Sequence, residues 1–174
     1  RRVEGDIHRY NYAECEKRAR RMADALRRLG VGDGDRVATL AWNGYRHMEI
    51  YYAVGGSGAV IHTVNPRLHP EQIAWIVGHA EDKFLAFDLT FLPIVEAIAG
   101  HCPGVKGWIA MTDRAHMPAS TKVPNLLCYE DVLESGSDDY EWPEIDERSA
   151  VALCYTSGTT GNPKGALYSH RSTV

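Results

Sequence analysis

The sequence predicts an α/β fold in which a mostly parallel sheet carries flanking helices on its faces. Short β-rich runs alternate with segments of helical periodicity from residue 11 to residue 112. Such alternation is typical of βαβ units, because two parallel strands need a crossover connection, which is usually a helix. A length of 174 residues, of which 44% are hydrophobic, is enough for one domain with a core of its own.

The N-terminal segment is predicted to form a hairpin, followed by the first helix. The turn signal GD lies between two short extended runs in residues 3–12. Asn11 and Glu14 have the spacing of a capping box, and apolar residues then recur at helical spacing up to Leu29. Gly30 suits the position just after a helix, where φ is often positive.

Strands and helices then alternate along the chain. A turn-forming stretch, GDGD, precedes the first strand, and an Asn-Gly pair follows it. Pro70 occupies the first-turn position that proline favours in helices. In chain order, the predicted elements are a strand at 36–42, a helix at 45–54, a strand at 59–64, a helix from Pro70, a strand at 84–88, a helix at 92–100 and a strand at 107–112.

The regular pattern ends after residue 112. Residues 113–149 are rich in proline and acidic side chains, which predicts an exposed connection with one short helix near residues 129–133. The run AVALCY at 150–155 is continuously apolar, as a buried strand is, and a short strand is predicted at 166–169. We therefore divide the chain into βα units at 1–112, a loop-rich acidic connection at 113–149, and a strand, a loop and the start of a helix at 150–174.

Composition and charge exclude several classes of protein. With 19 Lys and Arg against 23 Asp and Glu, the net charge of −4 argues against a nucleic-acid-binding protein. Neither an apolar run of about 20 residues nor a signal-peptide pattern is present, so we expect no membrane span and a cytoplasmic location. The spacing of the four cysteines fits neither a metal pair nor a disulfide framework, which predicts reduced thiols. The spacing of His62 and His69 matches no established metal pattern.

The stretch TSGTTGNPKG, residues 156–165, has the composition of a loop that binds phosphate groups. Its glycines allow peptide N–H groups to approach an anion closely. Its threonine and serine hydroxyls add hydrogen-bond donors, and Lys164 adds a positive charge. It is not a Walker A motif, because Pro163 and Gly165 stand where that motif needs Gly and Ser or Thr. No predicted strand is followed by Gly-x-Gly-x-x-Gly either.

This loop resembles the phosphate-binding signature of the adenylate-forming, or AMP-binding, enzymes, which include acyl-CoA synthetases, luciferases and adenylation domains of peptide synthetases. The resemblance extends over the whole chain, through LGVGDGDRVATLAWN (29–43), GAVIHTVNPRLHPEQIAWIV (58–77) and SHR (169–171). Stretches such as HTVNPRLHPEQ and LCYTSGTTGNPKGALYSHRST look most similar to bacterial medium- and long-chain fatty-acid–CoA ligases, including methylthiopropionate–CoA ligases. The resemblance implies the N-terminal portion of the adenylate-forming enzyme fold.

The resemblance also implies an AMP-forming acid–thiol ligase. Such an enzyme converts a carboxylate and ATP to acyl-AMP and pyrophosphate, and coenzyme A then displaces AMP to form a thioester. ATP, Mg²⁺, coenzyme A and a carboxylic acid, in particular a fatty acid, are therefore the implied ligands. Thr159 would also reach Mg²⁺ through water. The residues implied to bind the triphosphate are Thr156, Ser157, Gly158, Thr159, Thr160, Gly161 and Lys164.

Family members are much longer than this chain, so we expect an excised N-terminal portion that is inactive by itself. The surface that such a cut exposes favours self-association. Contacts to adenine, ribose, the acyl chain and coenzyme A would lie outside this portion, so the sequence does not predict the acyl-chain length. Two alternatives stay open: an amino-acid or aryl-acid adenylation domain, and a truncated association module without catalysis.

Overall fold

A computed structural model describes residues 2–156 and 162–173 of the chain. Within these residues the strands are β1 (Arg36–Leu40), β2 (Val60–Thr63), β3 (Phe84–Phe87), β4 (Gly107–Ala110), β5 (Leu126–Cys128), β6 (Ala150–Thr156) and β7 (Lys164–Ser169). The helices are α1 (Tyr12–Arg28), α2 (Tyr45–Gly56), α3 (Pro70–His79), α4 (Leu92–Ile98), α5 (Tyr129–Ser135) and α6 (His170–Thr173). Single 3₁₀ turns occur at Leu89–Phe91, Ala99–His101 and Arg114–His116.

The strands form one seven-stranded sheet in the order β5-β4-β3-β1-β2-β6-β7. Every neighbouring pair is parallel except β6 and β7, which are antiparallel. This arrangement confirms the predicted α/β fold with a mostly parallel sheet. None of the described helices is long and apolar enough to cross a membrane.

Helices cover both faces of the sheet. On one face α1 packs against α2 and α5, and Leu26, Ile50 and Ile61 belong to one apolar cluster there. On the other face α3 packs against α4, and Ile73 and Leu85 belong to a second cluster. Burial of both faces explains why the strands have continuous apolar runs rather than an alternation of apolar and polar residues.

The local signals at α1 act as predicted. The Asn11 side chain accepts a hydrogen bond from the Glu14 N–H, and the Glu14 carboxylate accepts one from the Asn11 N–H, each at 2.9 Å. This is the predicted capping box. Gly30 follows the helix with a φ of 92°, a conformation in which a side chain would be strained.

The structure departs from the predicted elements at two places. Residues 3–12 do not form a hairpin; one turn is closed by a hydrogen bond from the Arg2 N–H to the Asp6 carbonyl oxygen (2.8 Å), and no strand follows before α1. His8 stacks on Tyr45 of α2 with ring centroids 3.8 Å apart, so side-chain packing holds this segment instead of a strand ladder. The acidic connection contains the expected helix, α5, but also strand β5, which pairs with β4. Three residues are too few to show a detectable pattern.

A network of charged side chains joins α1, α2, α5 and the N-terminal segment. Arg46, on α2, is 4% exposed and donates to Glu4 at 2.7 Å and to Glu130 at 2.8 Å. Arg18, on α1, donates to Glu130 at 2.9 Å and to Glu49 at 2.8 Å. These partners are needed because an unpaired charge in a protein interior is costly.

Two carboxylates of this network make stability depend on pH. Burial alone would raise the pKa of Glu130, but hydrogen bonds and charges from Arg46 and Arg18 outweigh it and lower the pKa. Burial would also raise the pKa of Glu4, but a backbone hydrogen bond and the Arg46 and Thr112 side chains lower it. A lowered pKa adds stability that is present above the unfolded-state value of about 4.3 and is lost as the pH falls below it.

We therefore expect the free energy of unfolding to fall as the pH drops below about 4.5, which urea unfolding at a series of pH values measures. Glu130→Gln removes one of the titrating groups, so this variant should be less stable at neutral pH but should lose less stability in acid. Asp82 and Asp88, whose pKa values burial raises, titrate in the opposite sense and are present in both proteins. Equal acid dependence in the two proteins would contradict the assignment to Glu130.

Candidate functional site

The stretch predicted as a loop, residues 156–165, has both ends in the sheet, at the edge where the parallel strands end: Thr156 is the last residue of β6, and Lys164 and Gly165 are the first two of β7. β6 is parallel to β2 and ends at Thr156, and β7 returns antiparallel from Lys164. The carboxyl ends of β1 and β2 lie at the same edge, because β1, β2 and β6 run in one direction. Ligands of open α/β sheets bind at this edge.

The fold brings together two of the seven predicted phosphate-binding residues. Thr156 and Lys164 are Cα partners in the β6–β7 ladder, and the Thr156 hydroxyl donates to the Lys164 carbonyl oxygen at 3.4 Å. Both residues are exposed. The predicted residues that lie outside the described part of the chain are Ser157, Gly158, Thr159, Thr160 and Gly161. Their roles stay predictions.

Glycine at position 165 makes room for the residue that precedes the loop. Gly165 is the Cα partner of Tyr155. A Cβ atom at position 165 would lie 3.3 Å from Cζ of the Tyr155 ring and 3.1 Å from Cδ1 of Leu153. Contacts this short would force a neighbour to move, so the Tyr155 ring lies across the glycine in space that a side chain would otherwise fill.

Tyr155 also contacts helix α3. A hydrogen bond of 2.6 Å joins its hydroxyl group and Nδ1 of His79. Burial raises the pKa of the Tyr155 hydroxyl above its usual value near 10, so the group is neutral at physiological pH. Sequence reasoning missed this pair, because the two residues are 76 positions apart. The one available signal was that Tyr155 directly precedes the loop.

His62 has a buried carboxylate partner. Its Nδ1 atom lies 2.7 Å from Oδ2 of Asp82, and both side chains are fully buried. Burial raises the pKa of Asp82, and His62 opposes that shift. His69, by contrast, precedes α3 at the surface. Among the described residues, no group of three potential metal ligands includes either histidine.

One group of three potential metal ligands does occur within residues 2–156 and 162–173. It consists of Glu4, Asp113 and His116, whose ligand atoms lie within 4.8 Å of one another. Arg46 donates to Glu4 at 2.7 Å, and Nδ1 of His116 lies 2.5 Å from Asp113. The positive charge of Arg46 opposes a metal cation there, so the group is better explained as an ion-pair cluster than as a metal site.

The four cysteines are free, as the sequence predicted. Cys15, Cys102 and Cys128 are buried, and Cys154 is half-buried. Burial raises the pKa of the Cys102 thiol to about 11, which makes it a poor nucleophile at physiological pH. The three buried cysteines are packing residues, and the Cys154 thiol lies 3.2 Å from the Thr63 hydroxyl.

A groove of about 1290 Å³ opens beside α1 and α2. Its lining is mainly apolar and includes Tyr12, Met48 and Tyr52, which are all exposed. His170 and Thr173 of α6 also line it. Exposed apolar side chains of this size favour contact with a further protein surface.

The arrangement at the loop suits an anion. Lys164 provides a mobile positive charge at one strand end, and Thr156 provides a hydroxyl at the other. The stretch 156–165 contains no acidic residue that would repel a phosphate group. A polyphosphate is therefore a ligand that this combination of groups can hold.

Comparison with known proteins agrees with this chemistry. The model of a family described as AMP-binding enzyme matches residues 2–174. Three relatives are similar over nearly the whole chain: a medium-chain-fatty-acid–CoA ligase of Ectopseudomonas oleovorans (53% identical over 98% of this chain), a 3-methylmercaptopropionyl-CoA ligase of Ruegeria lacuscaerulensis (52% over 99%) and a long-chain-fatty-acid–CoA ligase of Thermus thermophilus (50% over 98%). This chain spans 31%, 32% and 30% of the length of those proteins, respectively.

A solved structure supports the fold. The anthranilate CoA ligase AuaEII in complex with anthranoyl-AMP superposes with a TM-score of 0.84, over 92% of this chain and 30% of that protein. Its sequence is 24% identical, so this similarity concerns the fold alone. The resemblance that was read from the sequence is confirmed by these comparisons.

Proposed function

Because the chain belongs to the AMP-binding enzyme family, we propose that it is the N-terminal part of an ATP-dependent fatty-acid–CoA ligase. The observation that carries this proposal is the loop TSGTTGNPKG at the carboxyl edge of the sheet, with Thr156 and Lys164 on facing strand ends. Identities of 50% to 53% to three CoA ligases support the class of reaction.

The proposed reaction has two steps. An oxygen of the carboxylate attacks the α-phosphorus of ATP, the bond to the bridging oxygen of pyrophosphate breaks, and acyl-AMP forms. The sulfur of coenzyme A then attacks the acyl carbon, the thiol proton is lost, and AMP leaves as the thioester forms. The first step brings an anion toward a polyanion, so donors and positive charge must offset the repulsion.

The role that we propose for residues 156–165 is to hold the β- and γ-phosphates and the departing pyrophosphate. Lys164 supplies a counter-charge, and the Thr156 hydroxyl supplies a donor at the opposite strand end once its long bond of 3.4 Å to the Lys164 carbonyl oxygen is exchanged for one to phosphate. Hydroxyl and peptide N–H groups of residues 157–161 complete the proposed set. Each charge-assisted hydrogen bond of this kind contributes about 1.5–3 kcal/mol.

Mg²⁺ fits this loop as a partner of the phosphates rather than as an ion held by the protein alone. Residues 156–165 contain hydroxyl oxygens but no carboxylate. Mg²⁺ commonly keeps several waters and binds to substrate phosphates, which agrees with such a set. Thr159 is proposed to reach the ion through water. When bound, the ion would neutralise charge on the triphosphate.

The acyl group is proposed to be that of a fatty acid or a small thioether acid. The three relatives are named for different acids at nearly equal identity, so their names do not select a chain length. The test uses the full-length protein that contains this chain, with ATP, coenzyme A and a panel of straight-chain acids, methylthiopropionate, aryl acids and amino acids. We expect AMP release and thioester formation with an acid of the first two kinds. Adenylation of aryl or amino acids alone, or no AMP release at all, would overturn the proposal.

Lys164→Ala in the full-length protein should lower the rate of ATP–pyrophosphate exchange by roughly 10- to 100-fold, because a charge-assisted contact to phosphate is lost. Thr160→Ala should act in the same direction. Lys106→Ala is the matched control, since Lys106 is exposed and precedes β4 at the opposite edge of the sheet. If the Lys164→Ala and Lys106→Ala variants have the same rate of ATP–pyrophosphate exchange, the phosphate-binding role proposed for the loop is wrong.

The 174-residue chain alone should bind ATP only at millimolar or weaker dissociation constants. Phosphate contacts of about 6–10 kcal/mol are largely offset by the cost of association, about 4–15 kcal/mol. Isothermal titration in the presence of Mg²⁺ measures this affinity. A micromolar constant would mean that the main nucleotide contacts already lie within this chain.

We further propose that the chain by itself self-associates and that the protein is cytoplasmic. β7 is an edge strand of the sheet, and Leu167 and Tyr168 on it are exposed, as are the apolar side chains of the groove. Free thiols agree with a reducing compartment. Sedimentation tests association, and cell fractionation tests the location. A non-catalytic association module would self-associate as well, but its full-length protein would not form a thioester.

A further inference from the structure

We propose that Tyr155 is a positioning residue for ATP binding, which acts by anchoring the start of the loop to His79 on α3. This inference rests on the function proposed above and deepens it, because it names a residue that does not touch the nucleotide. Tyr155 is the residue before Thr156, so its side chain lies at the base from which the loop starts.

The strand ends that carry the loop need support from outside the hairpin. β7 is the last strand of the sheet and pairs only with β6 among the described strands. Thr156 and Lys164 are both exposed, and the one side-chain hydrogen bond between them is 3.4 Å long. The position of these two ends therefore depends on the residues next to them that are packed against the sheet.

Helix α3 presents such a support. Trp75 and His79 are four residues apart, which places them on one face of the helix. Their rings stack, with centroids 4.6 Å apart and 20° between the planes. The Tyr155 ring meets both edge-to-face, at 6.3 Å from Trp75 and 5.8 Å from His79. The hydrogen bond of 2.6 Å to His79 then sets the direction of the ring.

A second support comes from β2. The ring of His62 lies 5.2 Å from the ring of Tyr155. His62 is itself held by Asp82 at 2.7 Å, and both side chains are fully buried. On the side of β7, residue 165 is a glycine, so no Cβ atom presses against the Tyr155 ring. The half-buried Tyr155 ring thus contacts α3 and β2 and lies beside Gly165 of β7, so packing and a hydrogen bond together fix its position.

Anchoring of this kind acts on affinity for the nucleotide. If the base of the loop takes several positions, only the molecules in the binding-competent position can bind ATP. The apparent dissociation constant is then the intrinsic constant divided by the fraction of molecules in that position. The carboxylic acid does not contact residues 156–165 in the proposed mechanism. Loss of the anchor should therefore change the KM for ATP and leave the KM for the acid unchanged.

The kinetic test uses the full-length protein and the variants Tyr155→Phe, His79→Ala and the double variant. We expect Tyr155→Phe to raise the KM for ATP roughly 3- to 10-fold, with kcat and the KM for the acid changed less than about 2-fold. The double variant should be no worse than His79→Ala, because both changes remove the same hydrogen bond. His79→Asn keeps a polar atom near the position of Nδ1 and should recover part of the affinity. Tyr168→Phe, a half-exposed tyrosine on the same hairpin, is the matched control and should have no effect.

Hydrogen exchange on the full-length protein, measured without substrates, tests the anchor without catalysis. Tyr155→Phe should speed amide exchange in peptides covering the loop-proximal ends of β6 and β7, and leave the start of β6 near Ala150 unchanged. Unchanged exchange at the loop-proximal ends overturns the inference whether or not the full-length protein is a ligase. In an active ligase, an unchanged KM for ATP, or equal increases in the KM for ATP and for the acid, overturns it as well. An inactive full-length protein would overturn the proposed function instead. Amide hydrogen exchange would then still show whether Tyr155 anchors the strand ends.

Discussion

Replacing Arg46 with methionine is expected to lower the free energy of unfolding by about 3–5 kcal/mol. Arg46 is 4% exposed and donates to both Glu4 and Glu130. Methionine has an apolar side chain of similar length, so the main change is that two carboxylates lose their guanidinium partner. A buried charge without its partner costs more than the intact pair contributes.

Most of the stability lost in Arg46→Met should come from the unpaired carboxylate of Glu4. Glu130 keeps Arg18 as a donor at 2.9 Å, whereas Glu4 keeps the Thr112 hydroxyl at 2.9 Å, which carries no charge. Adding Glu4→Gln to Arg46→Met should therefore recover part of the lost stability, because it removes the uncompensated charge. Recovery by a second substitution would be unexpected if Arg46 acted only by filling space.

Urea unfolding followed by circular dichroism measures these changes. Arg171→Met is the matched control, because Arg171 forms an exposed pair with Glu147 at 3.2 Å. Exposed pairs contribute about 0–1 kcal/mol, so this control should stay close to the wild type. Equal losses for Arg46→Met and Arg171→Met would refute the argument from burial.

Replacing Gly136 with alanine is expected to cost about 3 kcal/mol or more. A Cβ atom at this position would lie 1.9 Å from the carbonyl oxygen of Arg21 and 3.1 Å from the amide nitrogen of Ala25. Both are backbone atoms of α1, so relief requires α1 and the end of α5 to move apart. The φ of Gly136 is −91°, which alanine adopts freely, and the loss is therefore steric.

Gly78→Ala is the control for this prediction. Gly78 lies in α3, and a Cβ atom there would have no heavy atom within 4 Å. Alanine favours a helix over glycine by about 0.5–1 kcal/mol, so this variant should gain stability. Glycine-to-alanine substitution should thus lower the free energy of unfolding at position 136 and raise it at position 78, as measured by thermal or urea unfolding. Unchanged or higher stability of Gly136→Ala would disprove the close approach of α5 to α1, whereas a loss at Gly78 would contradict the argument from helix propensity instead.

Local signals predicted most of the secondary structure. The capping box at Asn11, the glycine at position 30 and the proline at the start of α3 act within one or two turns of chain. Their effect does not depend on the rest of the fold, and the structure has α1 and α3 where these signals place them. Strand β5 was missed for the opposite reason. Its three residues become a strand by pairing with β4, and no period can be read from so short a run.

Contacts between distant segments could not be predicted in the same way. Tyr155 and His79 are 76 residues apart, and Arg46 and Glu130 are 84 apart. Residues 3–12 have a hairpin pattern, yet His8 packs on α2, because the fold offers an aromatic surface there. Which side chains meet depends on strand order and on the face to which each helix crosses, and a single sequence pattern contains neither.

By itself, the sequence determined the class of fold, the family to which the chain belongs and the ten residues 156–165 proposed to bind phosphate. The class of fold follows from the spacing of apolar residues, the phosphate chemistry from residue types along a continuous stretch, and the family from the resemblance of that stretch and others to a known signature. The tertiary structure alone decided what surrounds the two ends of that stretch: Thr156 faces Lys164, Tyr155 lies beside Gly165, and His79 of α3 forms a hydrogen bond with the Tyr155 hydroxyl. The physical reason is that the groups proposed to bind phosphate are neighbours in the sequence. The groups that position them are distant in the sequence, and only folding brings them within contact distance.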